Sequence, residues 1–185
     1  MKAQLKDALG SGLLVIGLAF AWCGLVAAND AIFKQFIVTP YASLIYLPAA
    51  LRVIFPLVFH NAGYWGIILG SFGVAQGKVN DGTLDVALLA ISSGLAPYIG
   101  ISIFKTLFQT RPDLVDLKPV HLLALALLCA VSNAVLLNMY FSMSGRLMQP
   151  LNSLLTVLIG DILGTVIVLY LASFILTFFI SRRRG

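Results

Sequence analysis

The chain has 185 residues, of which 60% are hydrophobic and only 10% charged, with a formal net charge of +5. A soluble domain of this length carries about a quarter charged residues, so there is too little polar surface to coat a globule in water and the solvent is lipid. The length leaves room for a single domain, residues 1–185, and the composition points to no nucleic-acid partner.

The basic stretch MKAQLKDALGSG precedes an apolar run that continues for about a membrane width, which reads as an uncleaved first span over 12–28. Gly17, Ala21, Gly24 and Ala28 form a small-residue stripe on that span, and Asn29 and Asp30 end it as loop residues. A second span covers 41–59 and contains LPAALRVIFP. Prolines 48 and 56 cannot donate to the carbonyls of Leu44 and Arg52, and helix geometry puts Pro48, Arg52 and Pro56 near one face. Freed carbonyls in a membrane need protein or a wet cavity beside them, so this helix is either simply bent or lines a binding cavity. His60 and Asn61 make a tight turn into the third span, 62–77, where Gly63, Gly66, Gly70, Gly73 and Gly77 share one face. Lipid tails give no hydrophobic drive for helix association, so such a face is a packing seam or a smooth wall for a flat ligand. One seam suffices inside the molecule, which leaves the stripe on the first span for a partner.

The fourth span, 84–109, carries Ser93, whose carbonyl Pro97 frees, and a stripe of Gly94, Tyr98, Ser102 and Lys105. The fifth, 119–141, aligns Cys129, Asn133 and Tyr140 for hydrogen bonding between helices. Ser93, Tyr98, Asn133, Tyr140 and Pro48 are candidate cavity-lining residues. The sixth, 151–180, contains TVLIGDILGTVIVLY, with Asp161 flanked by the Gly160–Gly164 pair. The apolar runs do not alternate, which argues against a β-barrel, and the expected fold is an all-α bundle of about six transmembrane helices.

Eight basic residues (Lys2, Lys6, Lys105, Arg111, Lys118 and Arg182 to Arg184) fall on one side and three (Lys34, Lys78, Arg146) on the other. The richer side is cytoplasmic, so both termini are expected in the cytoplasm of a bacterial cell, with the bundle in the inner membrane. Arg52 and Asp161 are the charges deep in the apolar spans. Each costs about 2.5–3.5 kcal/mol at a helix centre, so each needs a partner. They lie at depths about 10 Å apart by helix rise, a gap that a long arginine side chain can largely close. They are read either as a structural ion pair locking two helices or as groups facing a polar ligand or proton path. His60, His121, Cys23 and Cys129 are scattered, so no metal site or cofactor is expected, and no catalytic motif occurs.

Two segments resemble a known family. YLPAALRVIFPLVFHNAGYWGIILGSF (46–72) and LIGDILGTVIVLYL (158–171) resemble the proline-and-glycine helices of the MASE-type bacterial membrane sensor domains. Those domains stand before signalling enzymes and are thought to sense small molecules. The first segment is also similar, more loosely, to substrate-binding subunits of energy-coupling-factor vitamin transporters, whose first helix meets a partner through small residues. The resemblance implies a non-enzymatic membrane protein that binds a small molecule or partner within the bilayer. It would signal through, or assemble with, a separate membrane, signalling or transport subunit. A structural subunit of a larger complex is the third alternative.

Overall fold

The computed structural model describes residues 2–39, 42–78, 82–109, 119–145 and 150–183. Arg111, Lys118, Arg146 and Arg184, used above for orientation, lie outside them. The described residues form six α-helices: α1 (Lys2–Ile32), α2 (Ala49–Phe59), α3 (Asn61–Lys78), α4 (Thr83–Phe108), α5 (Pro119–Met143) and α6 (Pro150–Arg183). A two-stranded antiparallel hairpin, β1 (Ile37–Thr39) with β2 (Ala42–Ser43), lies between α1 and α2. Helices α1, α4, α5 and α6 each hold an apolar stretch long enough to cross a bilayer. The chain is therefore a multi-pass α-helical membrane protein.

The second predicted span differs from expectation. Residues 41–59 do not form one helix: α2 has 11 residues, about half the length that a crossing needs. The residues before it run as hairpin and extended chain. Proline explains the break. Pro48 has φ −60° and stands at the start of α2, where its fixed φ suits a helix and its missing N–H costs nothing. It also biases Leu47 away from helical conformation. Pro48 therefore frees no helical carbonyl at Leu44, and only Pro56 is inside α2.

Non-helical backbone at this depth must be satisfied by protein, and it is. Leu44 N–H donates to Phe36 O at 2.9 Å and Tyr46 N–H to Gly160 O at 3.1 Å. Leu47 N–H donates to the Asn29 side-chain oxygen at 2.9 Å. Asn29 is fully buried within α1, so it is a cap for the incoming chain and not an outward-facing loop residue. The first turn of α2 closes on itself, with Ala49, Ala50 and Leu51 N–H donating to the carbonyls of residues 46, 47 and 48.

Glycine allows the remaining close approaches. A Cβ on Gly160 would strike the Ser43 carbonyl, and one on Gly164 the Tyr46 carbonyl. This GxxxG pair therefore docks extended backbone and not a second helix. On α3, Gly63 abuts the Phe55 carbonyl of α2, whereas Gly66 and Gly70 abut Leu18 and Trp22 of α1. Gly73 lies 3.7 Å from Cys23 Sγ, and Gly77 meets nothing. Two further close contacts involve Gly94 against Ile68 and Gly100 against Cys129. The stripe on α1 is different. Gly17, Ala21, Gly24 and Ala28 are exposed, and no atom lies within 4 Å of a Cβ built on either glycine.

Half-helix α2 packs against α3, α4, α5 and α6. Its flanks carry the two main apolar clusters. Val53 packs with Ile101, Phe104, Leu125 and Cys129, and Phe55 with Leu18, Trp22 and Ile67. At the far end, His60 takes φ 51° and reverses the chain directly into α3.

Candidate functional site

Half of a crossing made from a half-helix leaves space above the helix start. A cavity of about 130 Å³ lies there, walled by the hairpin and by side chains from all six helices. Arg52, in the first turn of α2, and Asp161, in the middle of α6, meet at its base. Arg52 Nη1 donates to Asp161 Oδ2 at 2.8 Å. Asn133 Nδ2 of α5 donates to the same oxygen at 2.6 Å. The two ionic side chains are only 7% and 4% exposed, and the guanidinium is further held between the rings of Trp22 (5.4 Å) and Tyr46 (5.3 Å). Cation–π contact of this kind strengthens once water is removed.

Five elements thus converge on the ion pair: α1 through Trp22 and the extended segment through Tyr46 on the arginine side, α2 through Arg52 itself, α5 through Asn133 on the carboxylate side and α6 through Asp161. Arg52 sits just inside the start of α2, and from there its side chain reaches Asp161 directly. Thr165 Oγ1 donates to the Asp161 carbonyl at 2.7 Å, which holds the local turn of α6. Arg52 Nε and Asn133 Oδ1 are buried with no hydrogen-bond partner among the described residues.

Hydroxyls continue the polar surface upward. Ser71 Oγ of α3 donates to Ser93 Oγ of α4 at 3.0 Å, and Ser43 Oγ donates to the Ile45 carbonyl at 2.9 Å. Ser43, Ser71, Ser93, Thr39 and Asp30 all line the cavity.

The structure gathers some predicted lining residues and disperses others. Arg52, Asp161, Asn133 and Ser93 line the cavity. Pro48 is buried at the α2 start without lining it. Tyr140 donates its hydroxyl to Asp85 Oδ1 at 2.9 Å, tying α5 to α4 away from the cavity. Tyr98 is 57% exposed and stands edge-on to Tyr64, ring centroids 5.8 Å apart, in a shallow groove between α3 and α4. Its helical register simply carries it to the outer face. His121 packs on the rings of Phe104 and Phe108, far along the chain from His60 at the α2–α3 turn. Trp22, Tyr46, Asn29 and Ser71 were not foreseen. Three of them sit in apolar runs where only their polar or aromatic character could have marked them.

The chain matches no family model, and neither a curated protein nor a solved structure matches it significantly.

Proposed function

We propose that the chain is a non-enzymatic receptor of the bacterial inner membrane, which binds a small molecule in this cavity and passes its state to a separate protein. One observation carries the reading: a buried, incompletely satisfied ion pair borders open space within the bundle. Ionisable residues inside membrane segments are expensive and mark ligand or ion paths. A purely structural pair is better served by a filled environment. The resemblance of residues 46–72 and 158–171 to MASE-type sensor domains agrees with this reading, as does the excess of basic residues expected of a bundle with both termini in the cytoplasm. The cavity groups hold and orient, since the serine hydroxyls bond one another and Asp161 is engaged by Arg52 and Asn133.

Signal output follows from which parts form the wall. The hairpin closes the cavity on one side and docks on α6 at Gly160, while the extended segment that follows it docks at Gly164. An occupant that shifts the hairpin therefore shifts α6, which leads towards the C-terminus.

The test is native mass spectrometry of the protein extracted from its own membrane in nanodiscs. A bound small molecule together with a kinase or cyclase supports the receptor. A large assembly holding no small molecule would overturn it in favour of a structural subunit. A second reading, a substrate-binding subunit of an energy-coupling-factor-type transporter, is favoured by the exposed stripe Gly17, Ala21, Gly24 and Ala28 on α1. Recovery of a transmembrane coupling protein with ATPases decides for it.

A further inference from the structure

We propose that the cavity recognises a small uncharged molecule through an amide edge, a carbonyl acceptor beside an N–H donor. This rests on the receptor reading and gives its ligand a chemical class.

The argument starts from how the ion pair is left open. An arginine and a carboxylate commonly close as two parallel bonds that use both oxygens. Here Nη1 alone reaches Asp161, and the amide of Asn133 lands on the same oxygen, Oδ2. No described residue bonds Asp161 Oδ1 or Arg52 Nη2. Nor are these two among the fully enclosed orphan atoms of the site, which are Arg52 Nε and Asn133 Oδ1. Asp161 Oδ1 and Arg52 Nη2 therefore keep surface in the cavity that both residues line. One is an acceptor and the other a donor, carried on the two halves of one ion pair.

Direction of approach is constrained as well. The guanidinium carbon lies 5.4 Å from the centre of the Trp22 ring and 5.3 Å from that of Tyr46, so two aromatic rings already crowd Arg52 and a ligand engages it through the hydrogen bond of Nη2. Charge then separates the candidates. Arg52 is balanced by Asp161. A free carboxylate or phosphate would meet the Asp161 carboxylate at low dielectric, and an ammonium would meet Arg52. A neutral amide accepts a hydrogen bond from Nη2 on its carbonyl and donates its own N–H to Oδ1, leaving the charge balance of the pair unchanged. Val74, Leu89 and Leu137 supply apolar wall for the carbon body, in the usual proportion of a small-molecule pocket.

The wild-type protein in nanodiscs is titrated with four probes of one shape: benzamide, benzoate, benzylamine and N,N-dimethylbenzamide. Binding is read by melting temperature and by Trp22 emission, with Trp65→Phe removing the lipid-facing tryptophan of α3. Benzamide should raise the melting temperature by about 2–4 °C near saturation and shift Trp22 emission. The other three should bind at least tenfold more weakly, because each lacks the donor, the acceptor or the neutrality. Asp161→Asn, which turns the free acceptor into a donor, should abolish the benzamide effect. Should that variant fail to fold, the wild-type series still decides. Equal binding of benzoate, benzylamine or the dimethylated amide overturns the amide edge while leaving a ligand-binding cavity in place. Failure of all four probes also overturns it. The receptor reading itself stands or falls on the native mass spectrum.

Discussion

Two faces of α2 differ sharply. On one, Val53 and Phe55 enter apolar clusters in which Phe104, Leu125 and Ile67 are fully buried. On the other, Arg52, the residue before Val53, sits in a polar network with two orphan atoms and an open cavity, and Trp22 belongs to both. The apolar face is filled. The polar face is bordered by extended backbone held through hydrogen bonds, and such local structure is drawn from the low-stability part of a fold. Stability and response are thus placed on different faces of one half-helix.

The comparison is broken most sharply at the ion pair. Arg52→Ala and Asp161→Ala should each cost about 3–5 kcal/mol, because each leaves the other charge buried alone. The double mutant should lose clearly less than the sum. Additive losses in a reversible unfolding assay in mixed micelles would mean that the two charges are not coupled. Gly164→Ala comes next, at about 1–3 kcal/mol. Its Cβ would meet the carbonyl of Tyr46 and the nitrogen of Leu47, and backbone yields less easily than a side chain. This variant should also loosen the extended segment between the hairpin and α2, seen as faster hydrogen exchange at the Tyr46 amide that donates to Gly160. Unchanged exchange there would separate α6 from that segment and remove the output route.

Phe104→Ala tests the apolar face. Lipid is as apolar as the core, so the transfer part of the usual cost is small and the cavity part, about 2 kcal/mol, remains. The expected result is lower stability with unchanged ligand-probe binding below the melting temperature. Altered binding would mean that the apolar and polar faces of α2 are not independent.

How far all this was legible varies with the kind of signal. Two charges in lipid must find partners, so Arg52 and Asp161 stood out on cost alone. The glycine face of α3 was legible because small residues at helical spacing leave few alternatives. The hairpin was not. AS and the chain up to Leu47 are apolar enough to read as the start of the second span, and hydropathy does not distinguish an extended segment from a helix. Pro48 looked like a kink because nothing local reveals that the helix begins there. Asn29 looked like a loop residue because its partner, the amide of Leu47, is 18 positions away. GxxxG spacing at Gly160 and Gly164 marks a smooth face, but it does not say whether helix or strand will lie on it. Trp22 and Tyr46 were hidden among the other aromatic residues of apolar runs, since contact with a guanidinium is a property of α1, α2 and the extended segment together.

The smallest expected effect concerns the exposed stripe of α1. Gly24 has no atom within 4 Å of its would-be Cβ, in contrast to Gly70 of the neighbouring helix, where a Cβ would come within 2.8 Å of Trp22. Gly24→Leu should therefore change the stability of the isolated chain by less than about 0.5 kcal/mol, as is usual for a site that touches nothing. Gly70→Leu, by comparison, should prevent α1 from docking. If α1 meets a partner through Gly17, Ala21, Gly24 and Ala28, Gly24→Leu will remove that partner from the purified material while leaving the melting temperature and probe binding intact. A loss of stability in the isolated chain would instead show that this face is already packed within it, and the transport-subunit reading would lose its one supporting observation.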